Sequence, residues 1–300
     1  KVFISIRSTT GNSLTSVQKS NLVAALSPYK VASITPVIVD AEVSFIILGI
    51  TIQYDKNATT SSPSELESKV ATTLTDYNNT DLLTFNSPFR HSVLTSRVDN
   101  TDPSILNSTA TVSIAKYITP TLGTNKSYTI NFSNRLYNPH AAHNEAQGGI
   151  ISSTGFYITA NTVYTETDST PKEYFLDDDG SGNLRLYYNS GVTRIYNVVS
   201  VGTVDYVNGI VNIFPINILS VSNVDGSVSS QIRITVIPDS YDIIPVRNQL
   251  LELDLVNTRI LASVDATSST GVGYTTSTSA TGTTTTTVTT ASSTASSSAY

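Results

Sequence analysis

The sequence predicts an α+β protein, with an N-terminal ferredoxin-like β-α-β-β-α-β domain followed by a β-rich, sandwich-like domain. Three observations carry this expectation. Two capping-box patterns, TSVQ at residues 15–18 and SPSE at residues 62–65, each open a run of apolar residues at helical spacing. β-branched runs flank these helices in the order strand, helix, strand, strand, helix, strand. From about residue 126 the apolar period shortens to two, and no helical period returns before residue 237.

Taken in order, residues 2–7 alternate as a strand. The first helix carries Leu14, Val17, Leu22, Ala25 and Leu26 on one broad face and is closed by Pro28. Residues 31–40 and 43–54 are β-branched runs separated by Asp40-Ala41-Glu42, the arrangement expected of an antiparallel pair. In the second helix Pro63 takes the first helical position, and Leu66, Val70, Leu74 and Tyr77 follow at helical spacing. A further helical turn or two is expected over residues 88–98, and a strand over 109–118. Two helices on one face of such a sheet leave the opposite face and the edges for neighbours.

Residues 126–237 hold the short alternating runs SYTINF, GFYIT, LRLYY, TRIYNVVSV, GIVNIF and QIRITVI, separated by Gly, Asn and Asp. They predict an antiparallel sandwich or barrel. Residues 238–250 read as a connector, and Leu251, Leu253 and Leu255 alternate with Glu252 and Asp254 as a strand. The expected organisation is residues 1–120 ferredoxin-like, 121–264 a β-rich association domain and 265–300 a Ser/Thr-rich tail. Because 23 of the 32 residues from 267 to 298 are Ser or Thr, composition predicts a flexible tail. The rival reading is a Thr-rich strand added to a neighbour's sheet edge.

Composition excludes several classes of function. A net charge of −6 gives no electrostatic reason to approach nucleic acid or an anionic membrane. With no cysteine, disulfides and thiolate metal sites are impossible. The longest apolar run, residues 43–52, is far short of the roughly 20 residues a spanning helix needs. Methionine is absent and residues 1–7 open directly in a strand pattern, so the chain reads as part of a longer or processed polypeptide.

Two motifs invite chemistry. In DDDGSG, taking Asp177 as the first position of a calcium loop puts Asp179 and Ser181 at ligand positions and Gly182 at the turn. Tyr188 then stands where the closing Glu belongs, and strand patterns flank the loop, so the stretch reads as a glycine-permitted hairpin with its carboxylates at an exposed tip. HAAHNE places His140 and His143 three apart with Glu145 beyond them, but Ala141 and Ala142 stand where a zinc protease needs its glutamate. It reads as a loop, and His91 as a structural histidine. Five Asn-x-Ser/Thr sequons, at Asn57, Asn78, Asn107, Asn125 and Asn131, are about what an Asn- and Thr-rich chain yields by chance. No phosphate-cradling loop, nucleophile elbow or paired acid and base is present.

The segments KVFISIR, ILGITIQYD and SPFRHSVLTSRVDNTDPSIL resemble the C-terminal half of the baseplate J-like family of contractile phage tails. SYTINFSNRLYNP, GGIISSTGFYI, YFLDDDGSGNLRLYY, VGTVDYVNGIVNI and IIPVRNQLLELDL resemble, in order, segments of the large wedge-ring proteins of T4-like myovirus baseplates. The resemblance spans about residues 1–264 and does not include the Ser/Thr-rich end. It implies a structural virion protein of the tail baseplate, assembled in the host cytoplasm, whose copies pair as homodimers and join neighbouring wedges into a ring that rearranges on contraction. The implied partners are other wedge proteins, not nucleic acid or membrane.

Within the resembling segments, Phe132, Tyr137, Phe156 and Tyr157 are expected at partner interfaces. No residue is assigned a catalytic, cofactor-binding or metal-ligating role. The alternative is an extracellular or virion-surface adhesin that binds glycan or calcium. A further rival is a hydrolase centred on His140, His143 and Glu145.

Overall fold

The computed structural model describes residues 1–6, 14–29, 34–143, 149–158, 171–224, 228–246, 248–265, 272–278 and 284–290. In chain order the first elements are β1 (Val2–Ile6), α1 (Ser16–Leu26), β2 (Pro36–Asp40), β3 (Glu42–Tyr54), α2 (Pro63–Tyr77), α3 (His91–Asp99) and β4 (Ile105–Ile118). There follow β5 (Asn125–Asn131), β6 (Ile151–Ser153), β7 (Phe156–Ile158), β8 (Tyr174–Asp178), β9 (Asn183–Ser190), β10 (Thr193–Asp205), β11 (Ile210–Val221) and β12 (Ile232–Val236). The last are β13 (Gln249–Leu253), β14 (Arg259–Val264), β15 (Val272–Thr278) and β16 (Thr284–Thr290). One compact unit comprises residues 1–47, 78–90 and 112–254, and the other 48–77, 91–111 and 255–300.

In the first unit, β1 and β2 pair in parallel, from Val2 with Pro36 to Ile6 with Asp40. Helix α1 starts at the expected box: Gln18 N donates to Thr15 Oγ1 at 3.3 Å, and Thr15 N donates to Gln18 Oε1 at 2.9 Å. A 3₁₀ turn, Ser27–Tyr29, follows it and contains Pro28. No residue of α1 is buried. The expected antiparallel pairing of β2 with β3 is not what forms. Only Ala41 separates the two strands, whereas a hairpin connection needs at least two residues. The first half of β3 instead pairs in parallel with β13, Glu42 with Gln249 through Ile46 with Leu253. Leu250, Leu251 and Leu253 are all buried, as suits a strand covered on both faces.

The strands of residues 1–120 thus fall into two sheets. One is the β1–β2 pair; the other is the sheet ordered β13-β3-β4-β12-β6, with β14 also on β3. The β-rich part of the first unit forms a sheet of order β10-β9-β8-β7-β11-β5, and an additional β10–β11 pairing closes five of its strands into a barrel-like ring. Leu176, Leu184, Leu186, Val211 and Ile213 are among its buried side chains.

In the second unit the remainder of β3 pairs in parallel with β14, Gly49 with Arg259 through Tyr54 with Val264. Helix α2 packs on β14 through an amphipathic face of buried Leu66, Val70, Leu74 and Tyr77. Its start is the second expected box, where Ser62 N donates to Glu65 Oε2 at 2.6 Å and Glu65 N to Ser62 Oγ at 3.3 Å. Glu67 Oε1 accepts Ala262 N at 2.9 Å, covering one donor of the edge strand β14. Helix α3 begins at His91, whose Nε2 lies 3.0 Å from the Ala110 carbonyl. Within the Ser/Thr-rich end, β15 and β16 pair antiparallel, Val272 with Thr290 through Thr278 with Thr284.

Candidate functional site

The two motifs singled out in the sequence meet in space, inside the first unit. DDDGSG is a hairpin: β8 and β9 pair antiparallel, with Asp177 opposite Arg185 and Asp178 opposite Leu184. Gly180 and Gly182 take φ of +71° and +101°, conformations that a side chain would strain. Asp179 ties the tip together, accepting Ser181 N at 2.8 Å, Asn183 N at 3.0 Å and Asn183 Nδ2 at 2.6 Å. Burial works to raise its pKa, but these hydrogen bonds outweigh it and hold the carboxyl below its ordinary value.

The expectation of three solvated carboxylates is corrected here: Asp177 and Asp178 are buried, the latter at 0% exposure. A buried carboxylate needs donors or a cation, and each has its own set. Asp178 accepts Ile150 N at 2.8 Å, Ile151 N at 2.9 Å, Gly180 N at 3.3 Å and the Tyr206 hydroxyl at 2.9 Å. Burial and then the Asp178 charge push the Tyr206 phenol well above its ordinary range.

Asp177 points to the opposite face of the hairpin, where Arg185 Nε donates at 2.9 Å, Arg194 Nη1 at 3.0 Å and the Tyr196 hydroxyl at 2.8 Å. Arg185 also lies 4.3 Å over the Tyr196 ring, and Arg194 4.7 Å over that of Tyr187. Burial, the largest influence, pushes the Asp177 carboxyl up, against the guanidinium groups that favour its charged form. All three carboxylates are therefore directed at protein donors, which leaves their oxygens engaged where a calcium site would need them.

Residues 140–143, the described part of HAAHNE, form a turn packed against that hairpin tip. The Gly180 carbonyl accepts Ala142 N at 3.2 Å and Asn138 Nδ2 at 3.1 Å. Gly180 is required for the approach, because a Cβ there would stand 2.4 Å from both the N and the O of His143. His140 and His143 come together with ring centroids 5.0 Å apart, and Tyr137 packs edge-on to His143 at 5.4 Å. Glu145 lies outside the described residues. An open cleft of about 470 Å³ adjoins the loop, lined by Arg135, Asn138, His140, Asp205 and Tyr206 among others.

Of the residues expected at an interface, Phe132 and Phe156 are buried within the chain itself, so core packing occupies their side chains. Tyr157 is half-buried and Tyr137 is 40% exposed. The sequon at Asn78 is also structural, since this buried side chain accepts Leu253 N at 2.8 Å. Sequence reasoning missed the cations and hydroxyls around Asp177. Arg185 was accessible to it, because a hairpin turning at residues 179–182 sets Asp177 opposite Arg185.

Comparison with known proteins gives the chain its context. Residues 42–117 match the family model of the baseplate structural protein gp6, C-terminal domain III, and residues 1–39 match that of C-terminal domain I. The baseplate wedge protein gp6 of Enterobacteria phage T4 is 31% identical over 126 residues, which are 40% of this chain and 19% of that protein. The match therefore spans about a fifth of that relative's length. The segments from SYTINF onward lie outside both model-matched ranges. Over its first 117 residues, then, the chain is similar to the C-terminal region of a phage baseplate wedge protein.

Proposed function

We propose that this chain is a structural component of the baseplate of a contractile phage tail, joining neighbouring wedges into a ring through contacts with a second copy of itself and with other wedge proteins. The match of residues 1–39 and 42–117 to the two gp6 C-terminal domains carries the reading. On this reading the protein works in the virion, at the tail baseplate, and makes or breaks no bonds.

The geometry of residues 1–40 supports it. Parallel sheets are ordinarily covered on both faces, and a two-stranded sheet is marginal by itself. Here β1 and β2 form such a pair, with Phe3 66% and Tyr29 85% exposed and no buried residue on α1. Burying a Phe or Tyr side chain of this kind contributes about 2–3 kcal/mol. A stable contact needs about 1,600 Å² in total, so this patch would form part of a larger surface.

Sedimentation equilibrium tests the reading. The chain should dimerise at roughly micromolar concentration, and Phe3→Ser or Tyr29→Ser should weaken that dimer by about tenfold or more. A chain that stays monomeric at about 100 µM would remove the homodimeric contact.

A further inference from the structure

We propose that His140 and His143 form a binding site for a first-row divalent transition-metal ion, with Zn²⁺ the ion of choice. This inference is independent of the baseplate reading. His140 Nε2 and His143 Nδ1 face each other at 3.4 Å. That distance is long for a hydrogen bond, beyond the 2.7–3.2 Å usual for N–H···O. It fits two imidazole nitrogens on one tetrahedral zinc, which at about 2.0–2.1 Å from the metal stand about 3.3–3.4 Å apart.

The tautomer is suitable as well. His140 Nδ1 lies 3.0 Å from the Ala141 carbonyl, so Nδ1 carries the hydrogen and Nε2 presents its lone pair. A metal-bound histidine usually hands its second nitrogen to a carbonyl in this manner.

The pair is also held in place before any ion arrives. Ala142 takes φ of +59°, its N–H is bonded to Gly180, and the His143 backbone sits against the Gly180 Cα. Gly180 in turn belongs to the hairpin tip secured by Asp178 and Asp179. Positioning of ligands by a rigid backbone is what a metal site requires. His140 is exposed and His143 half-buried, so an ion can enter carrying water in its remaining positions. Among the described residues no third His, Cys, Asp or Glu joins the pair, which makes this a two-imidazole site of modest affinity. Imidazole nitrogen selects zinc, nickel or copper over calcium or magnesium.

The test is titration of the full chain with zinc chloride at about pH 7.5, followed by calorimetry. The wild type should bind one Zn²⁺ per chain, and His140→Gln and His143→Gln should each lower the affinity by about tenfold or more. Acidification to about pH 5.5 should weaken binding again, since each imidazole must lose its proton to ligate. Nitrogen NMR of the unaltered protein gives a reading that needs no variant: Zn²⁺ should shift His140 Nε2 and His143 Nδ1 and leave His91 unchanged. Absence of saturable uptake, equal affinity in the variants, or shifts confined to other residues would each overturn the assignment.

Discussion

Replacing Asp178 with alanine removes the one acceptor shared by four donors. In the wild type Ile150 N, Ile151 N, Gly180 N and the Tyr206 hydroxyl converge on a carboxylate with no exposure. A hydrogen bond to a charged group contributes about 1.5–3 kcal/mol, and a buried donor left unpaired costs about 1–3 kcal/mol. Four such losses do not add, because one water entering the vacated space can serve two or three of the donors. With one or two donors left unpaired besides the lost hydrogen bonds, the expected cost is about 3–5 kcal/mol.

Urea denaturation followed by circular dichroism measures it as a fall in midpoint at unchanged slope. Asp179→Ala is the internal control, since that half-buried carboxylate can be replaced by solvent and its loss should cost about 1 kcal/mol. Asp178→Asn, which keeps one acceptor oxygen but turns an amide towards the donors, should fall between them. Equal costs for Asp178→Ala and Asp179→Ala would refute the claim that the inner carboxylate organises the hairpin and the strand start at Ile150 and Ile151.

Other predictions concern single features. Asp102 accepts Lys69 Nζ at 2.6 Å and the Ser104 hydroxyl and backbone at 2.7 and 3.0 Å, which hold its pKa at about 2. Its folded pKa is depressed, so the stability it contributes is present above the unfolded value of about 4 and is lost as pH falls towards 2. Because solvent screens the pair with the exposed Lys69, that amounts to about 1 kcal/mol, and a pH series of urea melts on Asp102→Asn should lack the corresponding slope. Gly180→Ala should destabilise by more than the roughly 1–2 kcal/mol of a left-handed alanine, because its Cβ also meets the His143 backbone. Ser62→Ala should cost about 1 kcal/mol through the lost α2 cap, and Ser64→Ala, which caps nothing, should cost less in the same urea melts.

Features written in neighbouring residues were legible. Thr15 with Gln18 and Ser62 with Glu65 specify both helix starts, because each box is closed within four residues by groups that would otherwise lack partners. The DDDGSG turn was readable from its glycines and the strand patterns on either side. Long-range pairing was not. Strands β13 and β14 lie parallel to successive halves of β3, and nothing local in LLELDL or RILASV names that distant partner.

Burial of the acidic run was hidden for a related reason. Three adjacent carboxylates read as a solvated tip until Arg194 and Tyr196 of β10 and Tyr206 of the turn after it arrive. The same holds for the histidine loop, whose paired rings depend on Gly180, far from them in sequence and adjacent in the fold.

A density map of the intact phage particle decides whether this chain is a baseplate component. The fold described here should be found in the tail baseplate, with the apolar β1–α1–β2 surface covered by a second copy or by another wedge protein. A particle whose baseplate lacks this chain, or holds it with Phe3 and Tyr29 open to solvent on every copy, would contradict it.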